Sequence, residues 1–64
     1  MMMYWVEIVD AGGEVLLRSS YFTRRKQAEA KRIEMQQDPL LQSHPTAHVF
    51  IRFELSDPEQ EGSK

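Results

Sequence analysis

The first twenty residues alternate between apolar and polar positions in two short runs, the pattern of strands whose successive side chains point to opposite faces. The first run, Met3 to Asp10, is rich in the aromatic and β-branched residues that favour strands. The second run spans Glu14 to Ser20. Between them lie Gly12 and Gly13, which adopt positive φ angles without steric cost. The sequence therefore predicts a β-hairpin with its turn between the two runs.

The next segment has the composition of a helix. Arg24 to Gln37 contains no Gly, Pro or Val and is rich in strong helix formers. Thr23 is a reasonable N-cap, and Asp38 ends the helix because a residue before proline is pushed out of the α region. At about 100° per residue, one side of this helix is expected to cover the sheet. That side comprises Phe22, Ala30, Ile33 and Gln37, with the stem of Lys26 alongside.

A third alternating run, His48 to Leu55, follows a connection that contains two prolines. This run predicts a strand. Within the connection, Leu40 and Leu41 are expected to tuck back under the end of the helix. Residues 56–64 are polar and carry more acidic than basic side chains, and we expect them to form a disordered acidic tail.

These elements predict a single small α+β domain over residues 1–55, with the element order ββαβ. Because the helix returns the chain to the start of the hairpin, the third strand should lie beside the first. The expected sheet is antiparallel with three strands in the order 2-1-3, and one helix packs on one face. The sheet residues expected beneath the helix are Val6, Ile8, Val15, Leu17, Ile51 and Phe53.

The face of the sheet away from the helix is expected to carry an apolar strip with charged borders, a composition found at protein interfaces. A solvated face that binds nothing is the alternative. The free edge of His48 to Leu55 is a further candidate, because an edge strand can pair with another chain. The predicted partner-binding residues on the sheet face are Trp5, Val9, Leu16, Arg18, Phe50 and Arg52.

Basic residues concentrate on and before the helix, although the net charge of the chain is −2. The stretch from Arg18 to Arg32 holds six of the eight cations and one acid, Glu29. Helical spacing predicts an exposed basic side that could contact phosphates or an acidic protein, and a solvated helix face is the alternative. The low isoelectric point, about 5.6, disfavours nucleic acid. The residues predicted for this surface are Arg24, Arg25, Lys31, Arg32 and Met35, with Ala28 between them.

Composition and residue spacing exclude or disfavour several kinds of site and several classes of protein. A chain of 64 residues buries little surface, so self-association would help its stability. It has no Cys, which excludes disulfides and fits a cytoplasmic protein, and no apolar run approaches the length of a membrane span. His44 and His48 have the spacing of a helical metal pair, but Pro45 between them disfavours a helix. We therefore predict no metal, no cofactor, no membrane partner and no catalysis.

The sequence favours a small non-enzymatic protein-binding module that regulates or inhibits a larger partner. Its size and type fit a phage or mobile-element product that acts on host machinery. One alternative is a nucleic-acid-binding accessory protein that uses the basic helix. Another is a structural homo-oligomer, such as a homodimer, that uses the uncovered face of the sheet.

Overall fold

The computed structural model describes residues 1–55 as three strands and two helices. The predicted α+β class, the antiparallel sheet and its strand order β2-β1-β3 are confirmed. The predicted acidic tail, residues 56–64, lies outside the described residues. In chain order the elements are β1 (Met2–Val9), β2 (Val15–Arg18), α1 (Arg25–Met35), α2 (Leu40–Ser43) and β3 (His48–Leu55).

The central strand β1 pairs along its whole length with β3, from Met2 opposite Leu55 to Val9 opposite His48. On its other side β1 pairs with the much shorter β2. The chain after β2 stays beside β1, because Tyr4 and Phe22 exchange two backbone hydrogen bonds of 2.8 and 2.7 Å. The central position of β1 explains why all the buried strand residues within residues 1–55 belong to it.

The predicted hairpin turn is confirmed, and a side chain holds it together. The Asp10 carboxylate accepts hydrogen bonds from the backbone N–H groups of Gly12 and Glu14, at 3.0 and 2.8 Å. Gly13 also donates to the Asp10 carbonyl at 3.0 Å. Gly13 has a φ of 90°, which a side chain would strain. The two glycines are therefore not equivalent, since only Gly13 needs the left-handed region.

A β-bulge corrects the predicted faces of β2. Ile8 lies opposite Leu17, whereas Val9 lies opposite Val15, so Leu16 is the extra residue. A bulge places two residues opposite one and reverses the alternation beyond it. Leu16 therefore packs against the core, and its predicted place on the face away from the helices is wrong. Val15 moves to that face and is exposed, so its predicted core position is also wrong.

The core lies between the sheet and the helices. Val6 and Ile8 of β1 are fully buried against Ala28 and Met35 of α1. The helices cover only one end of the sheet, so Phe53, which was predicted to be in the core, is 64% exposed. Leu17, also predicted for the core, is exposed as well. The partly buried residues around the core are Tyr4, Leu16, Phe22, Leu40, Leu41, Ala47, Val49 and Ile51.

The helix α1 is turned the opposite way from the prediction. Ala28 and Met35, predicted to be exposed, are buried, whereas Ala30 and Ile33 are exposed. The error has a physical cause. Phe22, which precedes the predicted helix, was assigned to its sheet-facing side, but it pairs with β1 in an extended conformation, so it does not fix the helix phase.

The ends of the helices also differ from the expectation. The N-cap of α1 is Arg24 without a side-chain cap hydrogen bond, so the prediction of Thr23 as the N-cap is wrong. Leu40 and Leu41 pack against the core as expected, but they do so from the short helix α2. The Asp38 carboxylate accepts a hydrogen bond from the Leu40 N–H at 2.9 Å, which fixes the turn between the helices.

Candidate protein-binding site

The face of the sheet opposite the helices, here called the open face, carries the candidate site. Odd-numbered residues of β1 point to it, and their cross-strand partners share it. Of the residues predicted for this site, all except Leu16 lie on this face. Its members are Trp5, Glu7, Val9, Val15, Arg18, Tyr21, His48, Phe50 and Arg52.

A buried carboxylate lies at the centre of the open face. The Glu7 side chain is only 6% exposed, although no helix covers this side of the sheet. Its Oε2 accepts a 2.7 Å hydrogen bond from the indole Nε1 of Trp5 and lies 2.9 Å from Nη2 of Arg18. Its Oε1 accepts a 3.2 Å hydrogen bond from Nε of Arg52. One carboxylate therefore joins side chains from all three strands.

The surroundings of Glu7 decide its ionisation. Burial on its own raises the pKa of Glu7, but the hydrogen bonds from Trp5, Arg52 and Arg18 and the charge of Arg18 together lower it. Glu7 is therefore ionised at neutral pH. Its negative charge balances one of the two guanidinium groups, whose side chains are about half exposed.

Aromatic rings extend the array on both sides of Glu7. The Trp5 ring meets the Tyr21 ring edge to face, with centroids 5.4 Å apart and an interplanar angle of 85°. The Arg52 guanidinium lies 5.0 Å from the centroid of the Phe50 ring, within the range of a cation–π contact. Phe50 and Tyr21 are themselves exposed. The open face thus presents ordered rings and guanidinium groups to solvent.

Tyr21, like Val15, is a member of this site that sequence reasoning did not place on the open face. It was treated as part of the lead into the helix, but the backbone pairing of Phe22 with Tyr4 extends the β2 side of the sheet to this point. Because alternate residues of an extended chain point to opposite faces, Tyr21 joins Trp5 on the open face. The signal available in the sequence was the aromatic pair at positions 21 and 22, which is typical of a strand.

The predicted basic helix surface is not one continuous exposed face. Met35 and Ala28, at its centre, are buried beneath the helix. Lys31 is partly buried and pairs with Glu34 at 3.4 Å, and Arg25 pairs with Glu29 at 3.0 Å. These ion pairs and the buried centre leave less positive surface than the sequence suggested.

Arg32 and Arg24 are the two remaining basic residues of the predicted helix surface. Arg32 is partly buried, and its Nε is a buried atom without a hydrogen-bond partner within residues 1–55. Arg24 lies exposed immediately before the first turn of α1. The five residues predicted to act together therefore divide between the core side and the solvent side of the helix.

Outside the open face, residues 1–55 offer little that could bind a small ligand, hold a metal ion or cross a membrane. An open groove of about 340 Å³ runs between the chain that precedes α1 and the helix itself. No group of three His, Cys, Asp or Glu side chains in the described part of the chain is placed to hold a metal ion. None of the helices between residues 1 and 55 is long and apolar enough to cross a membrane. The groove is lined by Ser20, Phe22, Gln27, Ala30, Lys31 and Glu34.

Comparisons with known proteins find no matching family model, no matching curated protein and no matching solved structure. Any function proposed for this chain therefore rests on its own contacts and charges. The open face offers the most organised set of these.

Proposed function

We propose that this chain is a non-enzymatic protein-binding module whose open face docks on a larger partner protein and regulates or inhibits it. The observation that carries the proposal is the set of side chains ordered around the buried Glu7 carboxylate. Trp, Tyr and Arg are the residue types that contribute most to binding energy at protein interfaces, and this face brings all three together.

Pre-ordering supports the proposal as much as composition does. Binding normally costs conformational entropy for each side chain that becomes fixed at an interface. Here Arg18, Arg52 and Trp5 are already held by hydrogen bonds to one carboxylate, so less of that entropy remains to be lost. The exposed rings of Phe50 and Tyr21 supply apolar area beside them. A protein surface with apolar side chains and carbonyl acceptors would complement this face.

The state of Glu7 also favours binding over catalysis. A glutamate that acts as a general acid or base at neutral pH needs a raised pKa, whereas the pKa of Glu7 is lowered by its partners. Its carboxylate is shared among three donors from three strands. We therefore assign it a structural role within the interface.

The cysteine-free sequence is the basis for placing the protein in the cytoplasm, and a phage or mobile-element origin stays a hypothesis.

The nucleic-acid alternative has weaker support. A phosphate-binding surface needs several cations that face the same way. Two of the predicted cations, Arg25 and Lys31, are paired with acids on their own helix, and the predicted site is centred on buried residues. The exposed Arg24 is its best remaining candidate.

Photo-crosslinking from two positions of equal exposure tests the proposed function. Tyr21 on the open face and Ile33 on the outer side of α1 are 56% and 55% exposed. Each would be replaced in turn by a photo-crosslinking phenylalanine analogue and irradiated in a nuclease-treated lysate of the host cell. We expect a specific partner protein to be cross-linked from position 21 and not from position 33. The same products from both positions, or none from position 21, would contradict the proposal.

A further inference from the structure

We propose that the free edge of β3 pairs with β3 of a second copy, so that two chains share one continuous antiparallel sheet with Ile51 on the two-fold axis. This inference goes beyond the proposed function, because it uses the strand edge and not the open face. It follows from which backbone groups point outward, from the charges along the strand and from the exposed apolar side chains at one end of it.

The hydrogen-bond pattern of β1 determines which groups of β3 are free. Tyr4 and Val6 direct their backbone groups toward the β2 side, since they bond to Phe22 and to Ser19. In an antiparallel ladder, alternate residues bond to opposite neighbours, so the odd-numbered residues of β1 bond to β3. Their partners include Arg52 and Phe50. The outward N–H and C=O groups of β3 therefore belong to Val49, Ile51, Phe53 and Leu55.

This edge is a ready template for another strand. Within residues 1–55 no strand lies beside the outer side of β3, which is the last strand in the order β2-β1-β3. The edge strand is eight residues long, has no proline and pairs with β1 without a bulge. Prolines and bulges are among the features that keep natural edge strands from pairing with another chain.

The outward groups also restrict how a second copy can pair. Residues opposite each other must both direct their backbone groups across the new junction or both away from it. Only registers that place odd-numbered residues opposite odd-numbered residues satisfy this rule. Opposite residues point to the same face of a sheet, so the helices of both copies lie on the same side. The two open faces then form one surface on the other side.

Side-chain pairing and the length of the strand together select one register among these. With the axis at Ile51, Glu54 lies opposite His48 of the second copy, and Arg52 lies opposite Phe50 of the second copy. An axis at Arg52 would instead place two arginines opposite each other, which is unfavourable. An axis at Phe53 would place Arg52 opposite Glu54, but it would pair only residues 51–55 of β3. The register centred on Ile51 therefore pairs seven residues of β3, from His48 to Glu54, without placing like charges opposite each other.

The apolar residues point to the same register. Phe53 and Leu55 are 64% and 68% exposed on the helix side of the sheet, beyond the end that the helices cover. Val49 and Ala47, at the other end, pack against the core beneath the helices. The two-fold axis places Phe53 opposite Val49, and Leu55 opposite Ala47, of the second copy. The end of the sheet that has no helix over it in one copy thus meets the helix-covered end of the sheet in the other copy.

Hydrogen exchange on the full-length chain tests this pairing directly. The amides of Val49, Ile51 and Phe53 should gain protection as the concentration rises from micromolar to millimolar, while those of Phe50 and Arg52 are protected throughout by β1. Sedimentation should report conversion of monomer to dimer over the same range. A monomer at all concentrations, or a dimer whose outward amides exchange rapidly, would overturn the inference. Protection that is independent of concentration and lost on removal of residues 56–64 would assign the edge to the chain's own C-terminal segment instead.

Substitutions that exchange the side-chain charges of positions 48 and 54 test the register. His48 and Glu54 lie six positions apart on one strand, about 20 Å, so they cannot interact within one chain. We expect His48→Glu and Glu54→Lys each to raise the dimer dissociation constant about tenfold. His48→Glu places two carboxylates opposite each other at two symmetric positions, and Glu54→Lys removes the hydrogen-bond acceptor opposite His48 at both positions. The double variant should return close to the original value. Failure of the double variant to recover would reject this register, and both side chains are exposed, so the fold should be retained.

Discussion

The indole N–H of Trp5 donates a 2.7 Å hydrogen bond to the carboxylate of Glu7, two positions further along the same strand. The two side chains share a face because strand residues alternate. This bond lays the indole along β1, where its ring meets Tyr21. The largest aromatic residue of the open face is therefore fixed in place by the same carboxylate that holds two arginines.

Replacement of Glu7 by Gln tests how much this carboxylate stabilises the fold. The amide retains one acceptor but loses the charge, so the hydrogen bonds from Trp5, Arg18 and Arg52 are weakened. We expect the free energy of unfolding to fall by about 1–3 kcal/mol, the range for buried groups bonded to charged partners. Chemical denaturation measures this change.

The matched control is Glu29→Gln, which removes the surface ion pair with Arg25. Exposed pairs of this kind contribute about 0.5 kcal/mol or less. An equal loss of unfolding free energy in both variants would show that the buried, central Glu7 adds no more stability than an exposed ion pair.

The pH dependence of stability follows from the same residue. Because the pKa of Glu7 is lower in the folded protein, its contribution to stability is complete above the unfolded value of about 4.3 and is lost as the pH falls through the folded value. The difference in unfolding free energy between the wild type and Glu7→Gln should therefore shrink below about pH 4. Denaturant titrations at several acidic pH values measure it. A difference that grows on acidification would contradict the assigned sign.

The topology of this fold follows from local signals in the sequence. The glycine pair and the alternation on each side of it predict the hairpin, and Asp38-Pro39 marks the end of the first helix. The strand His48–Leu55 is observed with the bounds that its alternation predicts. Once the hairpin and the helix are in place, the short connections leave one natural position for the third strand, beside β1.

The faces were harder to predict, because each depends on one residue that breaks a regular count. The bulge at Leu16 reverses the alternation of β2, and no glycine or proline at that point signals it. The phase of α1 was set from Phe22, whose extended pairing with β1 is a tertiary feature. Trp5, Val9, Phe50 and Arg52 were placed correctly, because β1 and β3 pair without interruption.

Alanine substitutions at two neighbouring positions test the bulge. Leu16 packs against the core, whereas Val15 is exposed on the open face. We expect Leu16→Ala to lower the free energy of unfolding by about 1–2 kcal/mol, less than a fully buried leucine because Leu16 is partly exposed. Val15→Ala should change it by no more than about 0.5 kcal/mol. The reverse order in chemical denaturation would restore the regular alternation that the sequence suggested.

A similar pair of substitutions tests the orientation of α1 and, with it, the basic-helix hypothesis. Met35 is 3% exposed beneath the helix, so Met35→Ala should lower the free energy of unfolding by about 2–3 kcal/mol through loss of buried volume. Ile33→Ala, on the outer side, should have an effect within about 0.5 kcal/mol, since alanine also favours helix.

Denaturation of both variants decides between two orientations that differ by half a turn. If Ile33→Ala proves the more damaging change, the helix faces the sheet as the sequence pattern suggested, and Arg24, Lys31 and Arg32 share an exposed side after all. Affinity for DNA or RNA that falls steeply with salt would then become the relevant measurement. With Met35 beneath the helix, those cations are divided between two sides, and the proposed binding surface remains the face that Glu7 organises.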